Sequence, residues 1–225
     1  MFTWPFFAAV AFAFLDWAST WKGWKIRLYI AKPATLFFLI LWVFLTSQMH
    51  GIMLWFGIGL GFSLIGDIAL MLNPRFFMAG LGAFLLAHVC YLVGFNQQAA
   101  PFNLGVMVVA VIVGLAASIV LRRIRPGIMR VPRGKRFLTA VTLYGATLTL
   151  MLLSALITLF RPEWNPLHAA LAAIGAALFF TSDSLLAYDR FVRKLNHGQS
   201  YVHLTYHVGQ TCLIIGTMGH FLSLT

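Results

Sequence analysis

Apolar runs about 20 residues long fill this chain almost from end to end, and that feature leaves few folds open. Eight can be marked, at residues 4–20, 28–46, 51–72, 76–95, 102–122, 137–160, 166–187 and 202–223. A bilayer core needs about 20 apolar residues per helical span. Inside it each backbone N–H and C=O must be satisfied within the protein, which a helix achieves alone. The breaks carry turn and polar residues, such as Trp21-Lys22-Gly23, Asn73-Pro74-Arg75 and the stretch from Arg190 to Ser200. Only 9% of residues are charged, where a soluble domain carries roughly a quarter. The expectation is an all-α integral membrane protein, with residues 1–225 forming one domain of eight transmembrane helices. The first run has no basic flank and no small-x-small site before Asp16, so it reads as a retained span. Cys90 and Cys212 fall inside runs and read as packed thiols, not a disulfide.

The net charge of +11 would suggest nucleic acid in a soluble chain, but its distribution points to topology. Lys22, Lys25, Arg27 and Lys32 lie at the first break, Arg75 at the third, seven basic residues from Arg122 to Arg136 at the fifth, and Arg190, Arg193 and Lys194 at the seventh. Fifteen of the 16 Lys and Arg thus fall on one side, and only Arg161 opposes them. By the positive-inside rule the odd loops are cytoplasmic and both termini are not. The expected location is a cytoplasmic (inner) membrane of bacterial type, and no nucleic-acid partner is implied. The 122–136 cluster reads as a topology anchor on anionic headgroups.

Five acidic residues occur in the whole chain, and two of them, Asp67 and Asp183, lie well inside apolar runs. An embedded aspartate costs about 2.5–3.5 kcal/mol on insertion scales, so embedded acids point to function. Both share one frame, Ile58-Gly59-x7-Asp67-x2-Leu70 and Ile174-Gly175-x7-Asp183-x2-Leu186, which fits a parallel four-plus-four duplication. Asp67 lies about five residues, or about 7–8 Å, from the cytoplasmic end of span 3, and Asp183 at similar depth in span 7. Lys32 on span 2 and Tyr206, His207 and Gln210 on span 8 fall in that layer. Ser63 lies one turn before Asp67, while His88 and Tyr91 share a face of span 4 nearer the bilayer middle. These groups would converge in a polar pocket where helices 2, 3, 7 and 8 meet. Asp16, Glu163 and Asp189 read as interfacial acids, and His203 as an interfacial histidine.

No Cys-x-x-Cys, Gly-x-Ser-x-Gly or phosphate loop is present, and a zinc site from His88, His207 and an aspartate has no supporting spacing. Three functional classes fit the embedded polar groups: a membrane enzyme, a small-molecule or proton-coupled transporter, and a non-catalytic lipid-binding protein. The transporter fits less well, because the polar groups cluster at one depth instead of tracing a path across.

Several short motifs occur together: Lys32-Pro33-x-Thr35, Gly66-Asp67-x-x-Leu70, Phe84-x-x-x-His88-x-x-Tyr91, Ser182-Asp183-x-x-Leu186-Ala187 and Tyr206-x-x-Gly209-Gln210. With them the chain resembles the YhhN family of small membrane proteins, which includes the lysoplasmalogenases. The resemblance implies an eight-helix enzyme that hydrolyses the vinyl ether bond of lysoplasmalogens to a fatty aldehyde and a glycerophospho-base. It implies a lysophospholipid substrate, no metal and no organic cofactor. It places the family's two aspartates on Asp67 and Asp183 as catalytic residues. Lys32, Ser63, His88, Tyr91, Ser182, Tyr206, His207 and Gln210 are the expected substrate-binding set.

Overall fold

The fold is given by a computed structural model that describes residues 2–224, with backbone alone at 25–28 and at 74. Lys25, Arg27 and Pro74 therefore have side chains outside the described residues. Eight α-helices follow in order: α1 Trp4–Lys22, α2 Lys25–Ser47, α3 Ile52–Leu72, α4 Phe77–Phe95, α5 Leu104–Met129, α6 Gly134–Ile157, α7 Pro166–Phe191 and α8 Gly198–Leu222. No strand occurs among the described residues. Local signals set several of the ends. Pro5 opens α1 and Gly23 closes it in the left-handed region, φ 70°. Asn103 and Asn165 cap α5 and α7, their side chains accepting from Val106 N (3.0 Å) and Leu167 N (2.9 Å).

Among the described residues six helices, α2 to α7, are long and apolar enough to cross a membrane. The first and last of the eight helices, α1 and α8, fall short of that apolarity, for different reasons. α1 carries Asp16, Ser19, Thr20 and Lys22 in its second half. α8 carries three histidines and Gln210, and these four are buried, so its polarity faces protein.

Consecutive helices pair as antiparallel hairpins, α1 with α2, α3 with α4, α5 with α6 and α7 with α8. The last hairpin is the tightest, because small residues let the backbones touch. A Cβ on Gly175 would stand 2.6 Å from the Gly209 carbonyl oxygen, and one on Gly216 2.5 Å from that of His168. α8 also packs on α1, α2 and α3, which makes it the inner helix of the bundle. α3 and α7 form no packed pair of their own, and α4, α6 and α8 bridge them, so α4 and α6 join the expected helices 2, 3, 7 and 8 around the pocket.

One apolar core joins residues from α1 to α4 and from α6 to α8, with Trp42, Phe56, Tyr91, Phe179 and Leu213 fully buried. α5 reaches it through Val113 and otherwise lies against α6 and α7, and only 6% of its apolar stretch is buried. The expected break at 122–136 is corrected. α5 continues through Arg122, Arg123, Arg125 and Pro126, because Ile124 and Ile128, four residues apart, bury one face while the arginines stay exposed. The connection shrinks to residues 130–133. At the opposite end Arg161, 5% exposed, donates to the Gln98 carbonyl (3.0 Å) and meets Glu163 (3.3 Å).

Candidate active site

Asp67 and Asp183 line one narrow cavity of about 70 Å³, with Lys32, Ser182 and Tyr206. Its remaining wall is mostly apolar, including Leu70, Leu81, Phe84, Val141 and Leu186. Asp67 is fully buried. Lys32 Nζ lies 2.9 Å from its Oδ1, and Tyr206 donates to its Oδ2 at 3.0 Å. Lys32 is itself 7% exposed, so its charge is spent on Asp67 and is not held out to solvent. Gly66, the motif residue before Asp67, has a reason to be glycine. A Cβ there would stand 2.6 Å from the ring of Phe84, which closes over the cavity.

Asp183 has a different partner set. Tyr144 on α6 donates its hydroxyl to Asp183 Oδ2. His88 Nε2 lies 3.1 Å from the Tyr144 oxygen and 3.7 Å from Asp183 Oδ2. A phenol has one proton, and Tyr144 gives it to Asp183, so His88 must donate to Tyr144 through Nε2–H. The order His88 to Tyr144 to Asp183 forms a short relay across α4, α6 and α7. Tyr144 was not expected from sequence.

Of the other expected binding residues, Ser63, Tyr91, His207 and Gln210 stand off the cavity wall. Tyr91 donates to Gln210 Oε1 (2.9 Å), and Gln210 Nε2 donates to Ser63 (3.1 Å). This chain ties α4, α8 and α3 together behind Asp67. Ser182 lines the cavity but donates to the Val202 carbonyl (2.9 Å), which pins α7 to α8. His207 turns away, with Nδ1 3.6 Å from Asp16 Oδ2. His88 and His207 thus belong to different acids and do not converge.

Two interfacial readings are corrected. Asp16 is fully buried, and its Oδ2 accepts from His203 Nδ1 at 2.8 Å. His203 is 8% exposed and also offers its carbonyl to Trp17 Nε1 at 3.4 Å. The pair joins α1 to α8. Asp189 and Glu163 do sit at helix ends, each beside a basic residue, Lys194 at 2.7 Å and Arg161 at 3.3 Å.

Against known proteins, the model of the YhhN family matches residues 28–217, which takes in every cavity residue named above. The chain belongs to the YhhN family. The membrane protein YhhN of Escherichia coli O6:H1 is 26% identical over 213 residues, covering 94% of this chain and 97% of that protein. Lysoplasmalogenase TMEM86B of Rattus norvegicus is 27% identical over 217 residues, 95% of this chain and 82% of its own length. Lysoplasmalogenase TMEM86A of Bos taurus is 25% identical over 224 residues, covering 95% and 87%. No solved structure matches. Within the YhhN family, then, relatives of nearly full coverage bear the name of a lysoplasmalogenase.

Proposed function

We propose that this YhhN protein is a lysoplasmalogenase-type hydrolase, one domain of eight membrane-crossing helices with both termini outside the cytoplasm. Its site opens toward the cytoplasmic leaflet. The observation that carries the reading is the pair of carboxyls on one cavity wall with unlike partners. Asp67 faces a full cation, Lys32, and keeps a negative charge balanced in place. Asp183 faces a phenol and an imidazole, and takes the part of the acid.

A vinyl ether breaks after protonation of its β-carbon. Asp183 delivers that proton from Oδ1, since Oδ2 is held by Tyr144. The carbon becomes a methylene and the positive charge spreads over the adjacent carbon and the ether oxygen. The Asp67 carboxylate faces this oxocarbenium ion and stabilises it. Water adds to the charged carbon, one of its protons passing to carboxylate, and the hemiacetal forms. Collapse breaks the bond to the glycerol oxygen, which leaves with a proton, and the water oxygen stays in the aldehyde. The carboxyl pair ends with the proton count it began with. Two carboxyls in unlike surroundings are the usual means of dividing acid and base roles at one pH. The chain from His88 through Tyr144 holds Oδ2 of Asp183 and leaves Oδ1 to give up the proton and to take it back from water.

The test is incubation of the purified protein with lysoplasmalogen and measurement of free fatty aldehyde. Release that depends on protein supports the reading. Unchanged substrate at high protein concentration would sink it and leave the transporter or lipid-binding classes.

A further inference from the structure

A second void, about 440 Å³, lies between α5, α6 and α7 and shares Val141, Tyr144, Asp183 and Ala187 with the catalytic cavity. It runs along α5 from Gly114 to Ile124, about 15 Å at 1.5 Å per residue. That is the reach of a fatty chain, not of a headgroup. Three of its hydroxyls are turned to their own backbone: Ser118, Thr149 and Ser184 each donate to a carbonyl of their own helix, at 2.8, 2.6 and 2.7 Å. What faces the groove is therefore mostly carbon, with Thr142 as an exception and Tyr144 and Asp183 at the end shared with the catalytic cavity. Glycine keeps it open, for no atom stands within 4 Å of where a Cβ on Gly114 or Gly145 would sit.

The opposite side of the catalytic cavity is polar. A void of about 390 Å³ there shares Lys32, Phe77 and Arg190 with it and is also lined by Lys194, Gln199 and Asp189. The Arg190 guanidinium is stacked 3.7 Å over the Phe77 ring, at the boundary of the two voids. Polar mouth, carboxyl pair and apolar groove thus follow one another as headgroup, vinyl ether and chain do in a single-chain ether lipid.

We propose that the groove between α5, α6 and α7 is the chain-binding site, and that it sets which chain lengths are hydrolysed. The inference rests on the hydrolase reading for its substrate. A chain arriving from the bilayer already sits in hydrocarbon, so the groove adds little affinity and acts by shape. It registers the vinyl ether against Asp183, and a plug would displace a long chain and leave room for a short one.

The experiment measures kcat/KM for hexadecenyl and hexenyl lysoplasmalogen in wild type, Gly145→Ala, Gly145→Leu, Gly145→Phe and Gly114→Leu. Gly61→Leu and Gly82→Leu, which also have open space at Cβ but lie on α3 and α4, serve as controls. The long-to-short ratio should fall at least about tenfold in Gly145→Phe, less in Gly145→Leu, and stay unchanged in the controls. A ratio within about twofold of wild type in both Gly145→Phe and Gly114→Leu would overturn the proposal. So would equal loss of both substrates in folded variants. A second measurement does not need turnover. In Ser118→Cys, with Cys90 and Cys212 replaced by Ala, a non-cleavable hexadecyl ether lysolipid should slow alkylation at least about fivefold, and Gly145→Phe should abolish that protection. If protection holds while wild type releases no aldehyde, the hydrolase reading fails and the groove stands. If aldehyde is released but neither ratio nor protection responds, the groove fails and the hydrolase stands.

Discussion

In the proposed reaction Asp67 and Asp183 carry the chemistry, and their partners separate their roles. Asp67→Asn and Asp183→Asn should each lower aldehyde release at least about 100-fold, the scale of a lost acid or base, while both proteins remain folded in detergent. Full activity in either would remove that residue from the reaction. Tyr144→Phe keeps the ring and deletes the hydroxyl that holds Asp183. It should lower kcat about tenfold with little change in KM, because it acts through the acid and not on the lipid. Asp16 offers the contrast. It is as buried as Asp67 but joins α1 to α8 through His203, off the cavity. Asp16→Ala leaves His203 without its acceptor, which should destabilise the fold by about 1–3 kcal/mol. Thermal unfolding in detergent would register that loss. Asp16→Asn, which can still accept a hydrogen bond, should recover most of it and release aldehyde within about threefold of wild type.

At the scale of helices, the α7–α8 contact is where a small change should do most harm. Gly175→Ala would place a methyl 2.6 Å from the Gly209 carbonyl, and backbone on both sides leaves nothing to yield. A cost of about 1–3 kcal/mol follows from such overpacking, read as a lower melting temperature. Gly61→Ala on α3, with open space at Cβ, should melt as wild type does. Helix positions were legible in the sequence because bilayer-length apolar runs are a strong signal. The interior was legible only where a residue type was rare at that depth. Asp67, Asp183 and Lys32 stood out by being charged. Tyr144 did not, since one tyrosine in an apolar run is ordinary and its role depends on which helix faces Asp183. Asp16 was hidden by an end effect. Trp21 and Lys22 cut the first run at residue 20, whereas α1 continues to Lys22 and leaves Asp16 six residues inside, close to the five of Asp67 in α3. The arginines from Arg122 to Arg125 were read as loop because charge ends an apolar run without ending a helix.

For the whole molecule, the charge asymmetry and the alternation of eight helices give one orientation. A reporter active only in the cytoplasm should be silent when fused after the C-terminus and active when inserted at 130–133. Signal at both places would mean that one of α6, α7 and α8 does not cross, and α8 is the least apolar of the three. The bundle closes where its first and last helices meet, and Tyr206 on α8 completes the shell of Asp67. That closure has a consequence for biosynthesis. α8 leaves the ribosome after the other seven helices, and its buried histidines and glutamine make it a poor passenger into lipid by itself. It becomes acceptable to the membrane only as an inlay, fitted into a slot that α1, α2, α3 and α7 have already formed. A chain cut short before residue 198 would therefore lack its inner helix and, with Tyr206, one of the two partners that hold Asp67 in place.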